Sequence, residues 1–200
     1  PPNRPYQAIY STDYSEASLA QLTEALRRDY PAPTLISSCI GILHNQHFLP
    51  EKKLADLNRE QLLQYFDINS VIPALLLKYM TPLLSPRVAS KIVMLSAKVA
   101  GISDNQLGGW YGYRASKAAL NMLIKTTSIE LARRHKHSCV IALHPGTTQS
   151  ALSEPFTQNY SADKLFTPEQ TAERLCRVIA ALTAEDNGRF VHWDGSDLPW

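Results

Sequence analysis

The most informative segment of this 200-residue chain is Gly108-Gly-Trp-Tyr-Gly-Tyr-Arg-Ala-Ser-Lys-Ala-Ala-Leu-Asn-Met-Leu-Ile124. Its glycine-rich beginning predicts a loop, and from Arg114 on good helix formers dominate, which predicts a helix. Within that helix Tyr113 and Lys117 are four residues apart, so both side chains project from one face. A phenol and an ammonium group are therefore expected side by side.

A tyrosine beside a lysine has a chemical use. The cation favours the phenolate and brings a group with a reference pKa of about 10 closer to neutral pH, where it can exchange a proton with a carbonyl or an alcohol. The alternative interpretation is an ordinary amphipathic helix in which Tyr113 packs and Lys117 is solvated. The spacing alone is too common to choose between the two, so the surrounding sequence decides.

Four further segments, in the right order, resemble the short-chain dehydrogenase/reductase family, and within it the bacterial C-factor-like group. Lys91–Lys98 resembles the strand before the active-site loop, Ile102–Tyr111 the approach to the tyrosine, and Leu143–Thr148 the following Pro-Gly turn. Trp193–Trp200 resembles the C-terminal ending of the group. The resemblance implies an α/β fold with a doubly wound parallel sheet, Rossmann-like, in which residues 1–200 form a single domain.

The N-terminal part departs from the family pattern. The family opens with a glycine-rich turn whose backbone N–H groups bind the cofactor pyrophosphate, but no glycine precedes Gly41 here. Segment 6–13 resembles the third strand of the family and the turn after it. The resemblance therefore implies a fold truncated at the N-terminus, without the first βα unit and the second strand. We expect such a chain to bind a dinucleotide poorly or not at all.

The resemblance also implies a set of catalytic residues. They are Tyr113, Lys117, Asn69 and Ser96. Tyr113 would exchange the proton, Lys117 would lower the pKa of Tyr113 and hold the ribose, and Asn69 would hold a water that relays protons. Pro73 supports the last role, because it has no N–H for the carbonyl four residues back and should kink the helix at Asn69.

The serine is the position at which the chain fits the family least well. Family members place a serine at the end of the strand before the loop, where its hydroxyl bonds the substrate oxygen. Ala97 occupies that position here, and the adjacent Ser96 is the candidate replacement. Since neighbouring strand residues point to opposite faces, Ser96 is also the residue that could point away from the substrate.

The implied cofactor is NAD(P). The residues implied to contact it are Gly41, Tyr113, Lys117, Pro145, Gly146, Thr148 and Ser150. Gly41 matches the last residue of the Asn-Asn-Ala-Gly motif of the family, whose first three positions are Ser38-Cys-Ile here. The Pro145-Gly146 turn would pack against the nicotinamide, and the hydroxyl of Thr148 or Ser150 would meet its carboxamide.

Composition argues against several other classes of protein. The chain is 44% hydrophobic and has a net charge of +2 without a long block of like charge, which suits one globular domain and argues against a nucleic-acid-binding surface. No signal peptide, membrane span or closed metal site is predicted from its hydropathy and its cysteine and histidine spacing. Three scattered cysteines are typical of a reduced, cytoplasmic protein.

Together these features predict an NAD(P)-dependent oxidoreductase that reduces a carbonyl, or oxidises a secondary alcohol, of a small molecule. The alternative is a catalytically impaired scaffold that acts in cell signalling or protein association, as the C-factor resemblance allows. Ala97 and the missing glycine-rich turn favour the scaffold, whereas Tyr113, Lys117 and Asn69 favour the enzyme.

The resemblance implies a homodimer or a homotetramer. Family members usually pair through the two helices that carry the equivalents of Asn69 and Tyr113. Apolar residues are abundant in both predicted helices, which favours an interface there. They are Leu62, Leu63, Phe66, Leu76, Tyr79, Met80, Leu120, Ile124 and Ile129.

Overall fold

The computed structural model describes residues 8–158, 161 and 164–200, and in this part of the chain four strands alternate with five α-helices. Strands β1 to β4 are Leu35–Ser38, Lys91–Leu95, Cys139–His144 and Phe190–His192. Helices α1 to α5 are Glu16–Asp29, Arg59–Phe66, Ile72–Met80, Tyr111–Arg134 and Pro168–Ala181. None of these helices combines the length and the hydrophobicity that crossing a bilayer requires.

The four strands form one parallel sheet in the order β1-β2-β3-β4. Ile36 pairs with Ile92 across the first pair of strands, and Val93 pairs with Ile141 across the second. The central strands are short and almost entirely apolar, as expected of strands that are covered on both faces. The predicted α/β fold with a parallel sheet is confirmed.

Alternate strand residues divide the core between the two faces of the sheet. On one face Ile92, Met94 and Val140 pack with residues of α3 and α4. On the other face Val93 and Ile141 pack with residues of α5. The helices therefore cover both faces of the sheet.

The predicted strand in segment 6–13 is not found where the structure can show it. Residues 6 and 7 lie outside the described residues, and residues 8–13 have no regular secondary structure. Ile9 is 82% exposed, so this part of the segment is not packed as a strand of the core would be. A strand without a neighbour lacks the backbone hydrogen bonds that stabilise it, which explains the difference.

The apolar residues predicted to form a helix–helix interface are divided between the core and the surface. Met80, Leu120 and Ile124 are buried in the core and are not free to contact another chain. Leu63 and Ile129 are each more than half exposed. Only part of the predicted apolar set is therefore available at the surface.

Tyr65 joins α2 to the beginning of α4. Its side chain is fully buried, and its hydroxyl donates a hydrogen bond of 2.5 Å to the carbonyl oxygen of Leu43. A Cβ atom added to Gly112 would overlap the Cδ2 atom of this ring and would lie 2.9 Å from Oε1 of Glu51. Gly112 is therefore required by the close approach of the two helices.

We expect Gly112→Ala to lower the free energy of unfolding by about 1–3 kcal/mol, the cost of overpacking a core. At an open helical position the same change would instead stabilise the protein by about 1 kcal/mol, because glycine is a poor helix former. The sign of the change in the free energy of unfolding, measured by urea titration, therefore reports the contact with Tyr65. The ring of Tyr65 is held in place by its hydrogen bond to Leu43.

Gln21→Ala is the control for this measurement. Gln21 lies on the exposed side of α1, so its truncation should change the free energy of unfolding by less than about 0.5 kcal/mol. If Gly112→Ala left the stability unchanged or raised it, the close contact between Gly112 and Tyr65 would be contradicted.

Candidate active site

A cavity of about 860 Å³ opens at the carboxyl ends of β1, β2 and β3. Leu95 at the end of β2 and His144 at the end of β3 lie in its wall, together with Cys39, which directly follows β1. In doubly wound sheets ligands bind outside the carboxyl ends of the strands. The cavity is therefore the candidate active site.

Tyr113 lies in the first turn of α4 and forms part of the cavity wall. Its ring is held edge-to-face against Tyr65 and Trp110, with centroid distances of 6.2 and 6.1 Å. The residue is only 7% exposed, and this burial raises the pKa of Tyr113 to about 12. Burial is the cause of this shift, and the role of Lys117 in lowering the pKa of Tyr113 stays a prediction.

Lys117 lies one turn further along α4 and is also buried. Its Nζ donates a hydrogen bond of 3.1 Å to the carbonyl oxygen of Leu95. Burial lowers the pKa of Lys117 to about 8, because desolvation disfavours the ammonium form. This amine can exchange protons near neutral pH. Its burial excludes the alternative interpretation, in which Lys117 is solvated.

The side chain of Asn69 is fully buried and binds both backbone groups of Ile42. Its Oδ1 accepts from the N–H of Ile42 at 2.8 Å, and its Nδ2 donates to the carbonyl oxygen of Ile42 at 3.0 Å. The same Nδ2 also donates to Oγ of Ser116 on α4 at 3.0 Å. Asn69 therefore fixes the loop after β1 against α4.

The helix around Asn69 is distorted next to Pro73. Helices α2 and α3 are joined by one π-helical turn, Asp67–Val71, in which the N–H of Ile72 bonds the carbonyl oxygen of Asp67 five residues back. Pro73 has no N–H that could bond the carbonyl oxygen of Asn69. Instead of a simple kink, the structure has a π turn, a feature that often lies at functional sites.

Lys117 and Asn69 converge on Gly41. A Cβ atom added to Gly41 would lie 3.1 Å from Nζ of Lys117 and 3.3 Å from Oδ1 of Asn69. Because Gly41 has no side chain, both polar groups can approach the same backbone segment. The structure thus brings these three predicted residues together, directly behind the cavity wall that contains Tyr113.

Ser96 does not face the cavity. Its Oγ donates a hydrogen bond of 2.6 Å to Oδ1 of Asn121 in the protein interior. The neighbouring Ala97 lies in the cavity wall instead, since successive residues of an extended strand point in opposite directions. The assignment of Ser96 as the hydroxyl that bonds the substrate is therefore corrected, and the position at the cavity carries no hydroxyl.

The segment after β3 supplies the other predicted cofactor-binding residues. Pro145, Gly146, Thr148 and Ser150 all line the cavity. Gly146 has a φ of 78°, and a Cβ atom there would lie 2.8 Å from the ring of Trp193. Both the backbone angle and the close approach therefore require glycine.

Sequence reasoning missed Trp110. Together with Gly108 and Gly109 it forms three successive residues in the left-handed region, with φ values of 65°, 63° and 53°. Such a backbone is uncommon for a residue other than glycine and is associated with functional sites. The indole lies in the cavity wall, edge-to-face with Tyr113 and Phe156. The Gly-Gly pair signalled an unusual turn, but not that Trp110 would share its conformation.

Arg114 holds this left-handed turn from one side. Its guanidinium donates hydrogen bonds to the carbonyl oxygens of Gly109, Val99 and Gly108 at 3.0 to 3.2 Å. Three of its five N–H groups are thereby bonded to backbone. Arg114 thus connects the strand-end loop to the beginning of α4.

Glu51 holds the same turn from the other side. Its main-chain oxygen accepts from the N–H of Trp110 at 2.5 Å, and its Oε2 accepts from the N–H of Gly112 at 3.2 Å. The residue is 2% exposed, and a carboxylate at the N-terminus of a helix is favourable. Because Glu51 is about sixty positions away along the chain, no local pattern could have indicated it.

Known proteins are similar to this chain in sequence. A family model described as Enoyl-(Acyl carrier protein) reductase matches residues 7–191. A 1-hydroxy-2-glutathionyl-2-methyl-3-butene dehydrogenase of Rhodococcus sp. (strain AD45) is 36% identical over 145 residues, which are 72% of this chain and 59% of that protein. The C-signal protein of Myxococcus xanthus is 29% identical over 147 residues, 74% of this chain and 83% of that protein.

The fold has counterparts among solved structures. The crystal structure of an NADPH-bound carbonyl reductase from chicken fatty liver superposes with a TM-score of 0.79 at 22% sequence identity. The structural match covers 94% of this chain and 74% of the chicken protein. In sequence, the chain spans only 59% of the length of the Rhodococcus dehydrogenase. With the family match extending over residues 7–191, the chain belongs to the short-chain dehydrogenase/reductase family.

Proposed function

We propose that the complete protein is an NAD(P)-dependent oxidoreductase that reduces the carbonyl of a small molecule, or oxidises the corresponding secondary alcohol. The observation that carries the proposal is the position of Tyr113 in the cavity wall, with Lys117 and Asn69 grouped around Gly41 behind it. This arrangement places one proton donor at the cavity and a second titratable group next to it.

The residues around the cavity fit the nicotinamide end of a dinucleotide. A Cβ atom would lie 3.1 Å from Nζ of Lys117 at Gly41 and 2.8 Å from the ring of Trp193 at Gly146, and Thr148 and Ser150 offer hydroxyls at the cavity. Pro145 lies in the same wall. When bound, the cofactor supplies or accepts the hydride, and the similarity in fold to the NADPH-bound chicken carbonyl reductase supports this choice.

In this proposal Tyr113 donates a hydrogen bond to the carbonyl oxygen of the substrate and then transfers its proton to that oxygen. With a pKa of about 12 the phenol is protonated at neutral pH, as an acid in the reducing direction must be. Nζ of Lys117 would stabilise the phenolate that remains. Asn69 would complete the relay by which a water returns the proton.

Ala97 limits this chemistry. A hydroxyl at its position would give the substrate oxygen a second hydrogen-bond donor, and removing one such donor lowers the rate of an enzyme by about 10²–10³-fold. We therefore propose that turnover is slower than in an enzyme with serine at position 97. Alanine at position 97 therefore lowers the maximum rate but leaves the proton donor, Tyr113, in place.

A second candidate function is that of a scaffold in cell signalling or protein association. Ala97 favours it, and so does the match to C-signal over 83% of that protein. No glycine precedes Gly41, so we propose that these 200 residues bind a dinucleotide poorly or not at all.

We also propose a reducing, cytoplasmic environment. The three cysteines Cys39, Cys139 and Cys176 are unpaired, and free thiols persist in such an environment.

Replacing Tyr113 by Phe should lower carbonyl reduction by the complete protein by about 10²–10⁴-fold, because the ring remains while the proton donor is lost. The measurement is the decrease of NADPH absorbance with a carbonyl substrate. Tyr111→Phe is the control, since Tyr111 lies two residues earlier on the same helix and is 38% exposed. If Tyr113→Phe retained full activity, as Tyr111→Phe should, the proposed role would be refuted.

The buried amine of Lys117 should make stability depend on pH. Its pKa is about 8 in the folded protein, below the ordinary value of 10.5, so between these values the unfolded chain binds more protons. Stability from this group is therefore complete above pH 10.5 and is lost as the pH falls through about 8. Tyr113 has the opposite effect, but only above its ordinary pKa of 10.

We expect the free energy of unfolding of the wild type, relative to that of Lys117→Met, to rise by about 2 kcal/mol from pH 8 to pH 10. Urea titrations at both pH values measure it. Cys139, whose pKa burial raises to about 11, titrates equally in both proteins and cancels. The difference between the wild type and the exposed-site variant Lys136→Met should stay constant, and a constant difference for Lys117→Met would contradict the burial of the amine.

We propose that the chain forms a homodimer or a homotetramer through α2, α3 and α4. Leu63, Met122 and Ile129 on these helices are 54%, 66% and 53% exposed, and apolar surface of this kind marks an interface.

Light scattering at micromolar concentration should give the mass of at least two chains. Ile129→Glu should shift the mass toward one chain, whereas Leu107→Glu, in a loop outside these helices, should not. A wild-type monomer would rule out the interface.

A further inference from the structure

Apolar side chains form the outer part of the cavity and remain in contact with solvent. Leu107 is 92% exposed and Leu152 is 38% exposed, and both line the cavity from different loops. Trp110 and Phe156 also line the cavity, with their ring centroids 5.0 Å apart. Exposed apolar groups gathered around one cavity are typical of a surface that an apolar ligand covers.

Two cations, Lys98 and Arg114, lie in the same wall. Among the residues that the structure describes, Nζ of Lys98 has one carboxylate nearby, that of Asp104, at 3.9 Å, and both side chains are about half exposed. This distance is too long for a hydrogen bond, so the three donors of the ammonium group remain available. Within residues 8–158, 161 and 164–200, no Asp or Glu lines the cavity.

The charge of Lys98 acts inside the cavity as well as at its rim. Burial, with further contributions from His192 and Lys98 in the same direction, lowers the pKa of His144 to about 4. His144 is therefore neutral at pH 7, and Lys98 and Arg114 supply the charge of the wall. The cavity combines an apolar surface with a positive potential, which attracts anions.

We propose that the cavity takes a carbonyl compound whose apolar body carries a carboxylate, and that Lys98 selects for that carboxylate. A carboxylate can accept a charge-assisted hydrogen bond from Nζ of Lys98, whereas a neutral group gains less and an ammonium group is repelled. Arg114 adds to the potential while its guanidinium remains bonded to backbone oxygens. That the bound compound reacts at a carbonyl rests on the proposed function, but the selection for an anion does not.

Two probes without a ketone or aldehyde test the selection directly. They are 4-phenylbutyrate and 4-phenylbutyramide, which share the same apolar body and differ in charge. Calorimetric titration of the wild-type chain should give about five- to tenfold tighter binding of the carboxylate at low salt. The preference should shrink at high ionic strength, because salt screens a partly exposed charge.

Lys98→Met removes the charge and keeps the length of the side chain. This variant should bind both probes equally and should bind the amide as the wild type does. Lys136→Met is the matched control, because Lys136 lies beyond the far end of α4, roughly 30 Å from Tyr113 by the length of the helix. The control should keep the wild-type preference.

In the binding experiments, four results would overturn the inference. They are no saturable binding of either probe, no preference for the carboxylate, a preference that survives Lys98→Met, and a preference that is lost equally in Lys136→Met. Since neither probe can accept hydride, these outcomes are independent of turnover. A carboxylate preference in a complete protein that reduces no carbonyl compound would refute the proposed function alone. Equal reduction of benzaldehyde and 4-carboxybenzaldehyde would refute the inference alone.

Discussion

The pairing of the Asn69 amide with both backbone groups of Ile42 is the interaction on which the site depends. Without it the N–H and the carbonyl of Ile42 would lose their partners beside a buried helix, at a cost of about 1–3 kcal/mol for each unsatisfied group. The amide acts as a short piece of neighbouring strand, and it places Gly41 against Lys117. Since Lys117 is bonded in turn to Leu95, two strand ends and two helices meet at one point.

The same packing sets the electrostatics of the site. Burial raises the pKa of Tyr113 and lowers that of Lys117, so each group is displaced toward its uncharged form. A tyrosine and a lysine four residues apart attract one another as ions only if water or a ligand stabilises the charges. In the protein alone, burial is the cause of both pKa shifts. The helical spacing of Tyr113 and Lys117 does not predict that burial.

Local sequence patterns predicted those features of the structure that depend on residues close together in the chain. The spacing of Tyr113 and Lys117, the short apolar runs of the strands, and Pro73 beside the distorted turn all act within a few residues. Long-range features were not predictable in this way. Glu51 reaches the start of α4 from about sixty positions away, and no periodicity connects the two.

The remaining differences have equally physical causes. At the end of β2 a shift of one residue exchanges the two faces, which places Ala97 in the cavity and Ser96 in the interior. Segment 6–13 resembles a strand of the family, but residues 8–13 have no regular secondary structure, because a strand exists only when a neighbour bonds its backbone. Both differences arise because the folded sheet, and not a single segment, determines which strands pair and to which face each side chain points.

The four described strands lie in the sheet in the same order as in the chain. During synthesis each strand therefore leaves the ribosome after the strand beside which it will lie, and it can be added to an edge that is already formed. No strand has to be inserted between two that have already paired, and no earlier pairing has to be broken. For these strands, the direction of translation and the direction in which the sheet grows are the same.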